Sequence, residues 1–282
     1  MIVDAHHHLW RVDQGYAWLD EPSLAPIRRT FTPDDLRDEL KANGVSHTVL
    51  VEGGRCDTGE ARLLLAFASD VSEISGVVAW GDPADPGLAD TIEEYRGLPG
   101  GEHLVGIRAQ VQAFGERAAV CYLDRDDVRR GLATVGEAGL AFDLVIRADQ
   151  IASAARAATA LPGVRFVLDH LGKPPIRERG FDRWAADLGD LAACPNVTAK
   201  LSGLVTEAAW TGWTADDLRP YVLRALELFG AGRLMFGSDW PVCTLASTYG
   251  KWLSTLNAIL PRDARAEVLG GTAVRTYHLS LA

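Results

Sequence analysis

The chain has 282 residues, 48% hydrophobic and 23% charged, a balance that fits a globular protein with a sizeable core and excludes a disordered or fibrous one. Acidic residues outnumber basic ones 38 to 28, and the resulting formal charge of −10 argues against a nucleic-acid backbone or an anionic membrane surface as partner. A small anionic substrate stays admissible, since one local arginine can override the global field. No basic leader with an apolar stretch opens the sequence and no apolar run is long enough to span a bilayer, so a cytoplasmic setting is expected. Cys56, Cys121, Cys194 and Cys243 lie far apart without a CxxC pair, which reads as free, buried or half-buried thiols.

Taken in chain order, eight short apolar segments rich in β-branched residues stand out: 2–8, 47–52, 74–80, 104–110, 141–146, 165–170, 197–201 and 233–238. Most are separated by stretches of helical periodicity. Thr32 is placed to cap a helix starting at Pro33, with Leu36 and Leu40 on one face and Gly44 after its end. The Ala-rich stretch 152–160 reads as an ordinary helix. Thr214 is placed to cap a later helix whose first turn holds Asp216 and Asp217, and Pro220 predicts a late start or a kink there. Eight strands alternating with helices, no Gly/Pro/Ser-rich linker and no Gly-rich phosphate loop after the first strand together predict one α/β domain over 1–282, a (β/α)8 TIM barrel.

In such a barrel the C-terminal strand ends carry the active site. Alternation along a strand sends His6 and His8 to one face and His7 to the other. Two imidazoles at the mouth of a strand can hold a metal ion or polarise a carbonyl; the bland alternative is a fragment of an expression tag, which a three-residue interruption of an apolar strand suits poorly. His170 ends the sixth strand, whereas His47 and His103 precede theirs and belong to the opposite rim. Asp239 follows the eighth strand and faces His6 and His8 across the seam, or is a turn residue before the next helix. Arg108 on the fourth strand needs a partner, either a substrate carboxylate or hydroxyl or a structural counter-ion. Glu52 is a candidate acceptor for sugar hydroxyls or an exposed loop carboxylate, and Lys200 is a further rim candidate. Trp10, Trp80, Trp210, Trp213 and Trp240 lie at or beyond strand ends, where an aromatic face suits a sugar ring or merely covers the barrel top.

These stretches resemble the amidohydrolase superfamily, specifically the lactonase branch of amidohydrolase family 2. The resemblance rests on Asp4-Ala5-His6-His7-His8-Leu9-Trp10, Gly106-Ile107-Arg108, Phe142-Asp143-Leu144, Asp169-His170-Leu171-Gly172-Lys173-Pro174, Lys200-Leu201-Ser202-Gly203 and Phe236-Gly237-Ser238-Asp239-Trp240-Pro241-Val242. It covers essentially the whole chain, and the first, fourth and last stretches are the specific ones. It implies hydrolysis of a small lactone, a sugar-derived aldonolactone of the L-fuconolactone kind, with Asp239, His170, His6 and His8 as the catalytic set. Arg108, Glu52, Lys200 and Trp240 are then substrate-binding candidates. At most one divalent metal, zinc by preference, is implied on His6, His8, His170 and Asp239, and metal-free operation is known in this branch. A two-metal site is not expected, because Gln110 and Gln112 stand where binuclear relatives place a bridging lysine. The alternatives are a metal-dependent decarboxylase of an aromatic acid, using the same rim, and a barrel retained only for binding, which should show a damaged rim.

Overall fold

The computed structural model describes residues 1–113 and 122–281; of the cysteines, Cys121 lies outside them. The eight strands are β1 (Val3–His7), β2 (His47–Val51), β3 (Ile74–Trp80), β4 (Leu104–Ala109), β5 (Ala141–Leu144), β6 (Arg165–Leu168), β7 (Val197–Leu201) and β8 (Leu234–Phe236). They pair in parallel, each with its sequence neighbour, in the order β1 to β8. Beyond β8 the chain returns to β1: the Asp239 amide donates to the His6 carbonyl and the His8 amide to the Trp240 carbonyl, both at 2.7 Å. A parallel bridge between His7 and Trp240 completes the closure. The (β/α)8 barrel expected from the alternation of elements is the observed architecture.

The outer helices include α1 (Pro33–Asn43), α2 (Thr58–Asp70), α3 (Leu88–Arg96), α4 (Asp126–Glu137), α5 (Ile151–Ala160), α6 (Phe181–Ala192), α7 (Ala215–Phe229), α8 (Tyr249–Ile259) and α9 (Thr272–Tyr277). Thr32 caps α1 through a reciprocal box with Asp35, and Gly44 ends it in the left-handed region at φ 65°. Pro220 neither delays nor divides α7, which runs unbroken from Ala215. The proline sits on the exposed face, where the carbonyl left without its N–H partner can turn to water. None of the helices among the described residues is long and apolar enough to cross a membrane. Cys56, Cys194 and Cys243 are free thiols.

The barrel interior is layered. Val3, Ala5, Val49, Val51, Val78, Ala141, Val167 and Met235 pack together with Ala273, Tyr277 and Leu279, so the C-terminal segment plugs the lower end. Full burial of each large apolar side chain is worth about 1.5–3 kcal/mol over exposure. The β1–β2 register shifts between Asp4 and His7. That irregularity changes the phase of the strand, so Val3 and Ala5 serve the apolar plug while His6 and His8 rise toward the upper rim. His7 turns outward and meets the Thr48 hydroxyl at 2.9 Å.

Candidate active site

A cavity of about 590 Å³ opens over the C-terminal strand ends, and its wall includes His8, Arg108, His170 and Asp239. His6 is fully buried just beneath. His6 Nε2 lies 3.2 Å from His8 Nε2 and 3.8 Å from Asp239 Oδ1, and His8 Nε2 is 3.5 Å from the same oxygen. The four residues singled out by position along the chain thus converge on one small volume.

The protons on these rings follow from their outer partners. His8 Nδ1 donates to the Val51 carbonyl at 2.9 Å; a carbonyl only accepts, so Nε2 presents its lone pair inward. His6 Nδ1 lies 3.2 Å from Asp169 Oδ1 and 3.1 Å from Lys200 Nζ. Donation to Asp169 leaves a second lone pair facing His8 and Asp239, whereas acceptance from Lys200 puts a hydrogen between the two imidazoles. Two ring nitrogens and a carboxylate at these separations are the donor set of a divalent cation. His6, His170 and Asp239 each offer an atom within 4.8 Å of the other two, and His8 adjoins both His6 and Asp239. One ion fits this set.

The electrostatics sort the groups into roles. Burial raises the Asp239 carboxyl, but the neighbouring His170 and His8 rings and the charge of Lys173 outweigh it, leaving it below its ordinary value and ionised at neutral pH. Burial pushes His170 down to about 4, with Asp239 and Asp169 only partly opposing, and drives His6 well below its usual range. At neutral pH the site therefore sets an anionic carboxylate beside the neutral imidazoles of His6 and His170. His170 Nδ1 lies 2.9 Å from the Ser202 hydroxyl, which orients its ring.

Beneath the cavity lies a tier that the motifs contained but did not announce. Arg108 donates through Nε to the Glu52 carboxylate, through Nη1 to Asp169 Oδ2 at 2.9 Å, and through Nη2 to the Glu52 carbonyl. Lys200 Nζ donates to Asp143 Oδ2 at 2.5 Å and pairs with Asp169 Oδ1 at 3.0 Å; Tyr277 Oη donates to Asp143 from below. Glu52, Lys200, Asp143 and Asp169 are fully buried. Of the expected substrate contacts only Arg108 reaches the cavity wall. Glu52 and Lys200 are satisfied inside the barrel, and Trp240 is buried against Phe31 with ring centroids 5.2 Å apart. The five tryptophans read as rim candidates all stand off the cavity wall; Trp18, from the loop after β1, is on it instead, its indole N–H held by the Gly53 carbonyl at 2.8 Å. Among the described residues, Gln110, Gln112, Arg147, Lys173, Thr206 and Glu207 add further polar groups to its lining.

A family model described as amidohydrolase matches residues 3–279. The chain is 36% identical to an L-fucono-1,5-lactonase of Burkholderia multivorans, over 98% of this chain and 96% of that protein. The crystal structure of a Burkholderia multivorans amidohydrolase with bound zinc superposes with a TM-score of 0.91 at 35% identity, covering 99% of this chain and 100% of that one. A 5-carboxyvanillate decarboxylase from Sphingomonas paucimobilis shares the fold, with a TM-score of 0.66 at 16% identity over 99% of both chains.

Proposed function

The chain belongs to the amidohydrolase family, and from that premise we propose that it is a hydrolase opening a small sugar-derived lactone, of the L-fucono-1,5-lactone type, with Asp239 as general base and then general acid. The observation that carries the reading is the convergence of an ionised Asp239 with His6, His8 and His170 at a sugar-sized cavity, in a chain 36% identical to a lactonase of that kind along nearly its whole length. The decarboxylase alternative has only a distant likeness of fold behind it. A barrel kept for binding alone would not need all four rim residues intact.

The chemistry follows from the positions. Asp239 takes a proton from water as the water oxygen bonds to the lactone carbonyl carbon. The tetrahedral centre collapses, the ring C–O bond breaks, and Asp239 returns the proton to the departing ring oxygen. Lactone and water become a hydroxy acid, with no other reactant. His6, His170 and Asp239, with His8 beside them, would hold one divalent ion, for which zinc suits the donor set; such an ion supplies Lewis-acid polarisation of the carbonyl when bound. Gln110, Gln112, Arg147 and Thr206 offer hydrogen bonds to ring hydroxyls, and Trp18 offers a flat apolar face. Glu52 and Lys200 act from below: Glu52 holds Arg108, and Lys200 with Asp169 holds His6.

A pH-indicator assay on aldonolactones and aromatic-pathway lactones, with and without prior chelation, tests this reading. Turnover of sugar lactones is expected. Activity lost to chelation and restored by zinc assigns the rim histidines to a metal, and activity that survives chelation assigns polarisation to side chains. Carbon dioxide release from aromatic acids without lactone turnover would overturn the reading.

A further inference from the structure

Residues 170–173 all have positive φ: His170 at 55°, Leu171 at 52°, Gly172 at 68° and Lys173 at 53°. L-residues enter this region singly, at about 1–2 kcal/mol each, and three non-glycine residues in one left-handed turn require over-determination by their surroundings. Those surroundings are present. Leu171 is fully buried, its carbonyl accepts from Trp184 Nε1 at 2.9 Å, and the Lys173 amide donates to the His170 carbonyl at 2.9 Å. The turn sends Leu171 into the core and returns the chain after three residues, so His170 and Lys173 both line the cavity. A right-handed turn or an extended exit from β6 would not align that pair.

Among the described residues, three arginine or lysine cations line the cavity: Arg108, Arg147 and Lys173. Arg108 is spent on Glu52 and Asp169. Arg147 donates to the Gln112 carbonyl at 2.6 Å and pairs with Asp149. Among the described residues, the Lys173 ammonium has no hydrogen bond or ion pair, yet its charge is felt at Asp239, His170 and Glu207. Addition of water places negative charge on the carbonyl oxygen of the substrate, and ring opening then leaves a carboxylate in the product, so an uncommitted cation beside that oxygen favours both.

We propose that Lys173 takes the charge that develops on the lactone carbonyl oxygen, and that the left-handed turn exists to aim it at the volume shared by His170 and Asp239. This deepens the lactonase reading and rests on it. Its probes are L-fucono-1,5-lactone, the ring-opened anion L-fuconate and the uncharged polyol L-fucitol, applied to wild type, Lys173→Met and Lys173→Arg. Lys173→Met should lower kcat/KM by about 10²-fold, chiefly in kcat, while Lys173→Arg keeps most of the activity. In calorimetry on metal-stripped protein, Lys173→Met should weaken L-fuconate by about tenfold or more and leave L-fucitol unchanged. Wild-type turnover and L-fuconate affinity in Lys173→Met would overturn the role of Lys173 alone. Equal losses for L-fuconate and L-fucitol would also overturn it, since they make the side chain a shaper of the cavity. Absence of lactone turnover in the wild type would overturn the underlying reading as well.

Discussion

Two tiers of ionisable groups are stacked in this barrel, and they differ in how much of their hydrogen-bonding capacity is used. In the lower tier Glu52, Arg108, Asp143, Asp169 and Lys200 are all but completely buried and bonded to one another, with Tyr277 closing the network from beneath. In the upper tier Asp239, His6, His8 and His170 turn ring nitrogens and a carboxylate oxygen toward one another, and Lys173 faces the cavity without a partner among the described residues. A buried charge is tolerable when paired and costly when not. The lower tier is therefore built as scaffold, and the upper tier, held by looser contacts of 3.2–3.8 Å at the cavity, is placed to take something that arrives from outside. Arg108 touches both: it reaches the cavity wall, but its charge is neutralised below.

Breaking the lower tier should cost the most. Lys200→Met leaves Asp143 and Asp169 without their ammonium and should destabilise the fold by about 3–5 kcal/mol in denaturant titration. Adding Asp143→Asn should recover part of that loss, because it removes one of the two stranded charges. Destabilisation of less than about 1 kcal/mol by the single substitution would show that the network carries no such load.

A glycine in the upper tier sharpens the contrast kinetically. A Cβ at Gly203 would stand 2.5 Å from His170 Nδ1 and 3.2 Å from Asp239 Oδ2, at a φ of +64°. Gly203→Ala should displace the His170 ring and lower kcat/KM by about 10²-fold. Gly212, also at positive φ but with open space around it, is the matched control. Gly212→Ala should cost about 1 kcal/mol of stability and leave kinetics alone. Equal kinetics in the two variants would remove the close approach at Gly203 from the account.

The smallest expected effect is on pH dependence. Burial lowers His7 to about 3 and His170 to about 4, so the folded state keeps both neutral while the unfolded chain protonates near 6.5. Their contribution to stability is complete above about pH 6.5 and is lost as the pH falls toward those folded values. Asp4, raised to about 6 by burial, acts in the opposite sense: its contribution is present below its unfolded value of 3.8 and lost as the pH rises toward 6. Glu60, raised to about 7, and Asp143, raised to about 6, act in the same sense as Asp4, so the two sets of groups oppose each other and Tm should change by no more than about 5 °C between pH 7 and 5. His7→Gln removes one imidazole and should raise Tm at pH 5 relative to that at pH 7; an unchanged difference would show that His7 does not contribute to it.

The upper tier was far more legible in the sequence than the lower. Strand-end position brought out His6, His8, His170 and Asp239, because the barrel turns a place along the chain into a place on one rim. The strand segments match to within a few residues at their ends, since β-branched runs and the intervening helical periods mark strands locally. Glu52, Arg108 and Lys200 were visible as charges but not as a network, because their partners come from other strands, as in Arg108 with Glu52 and Lys200 with Asp143. Asp143 and Asp169 stood inside quoted motifs with no local feature to separate them from turn carboxylates. Trp18 could not be ranked above the other tryptophans, because it lies in a loop of short 3-10 turns without a usable period. The aim of Lys173 depends on a left-handed turn that nothing in Leu171-Gly172-Lys173 apart from its glycine foreshadows.

The most direct test of the central claim compares wild type with Asp239→Asn on the best lactone of the panel, with circular dichroism and Tm measured alongside. Asp239→Asn keeps the shape of the side chain and removes its basicity, so the account predicts a folded protein that has lost about 10³-fold or more of its turnover. A folded Asp239→Asn enzyme with wild-type turnover would contradict it and remove Asp239 from the chemistry.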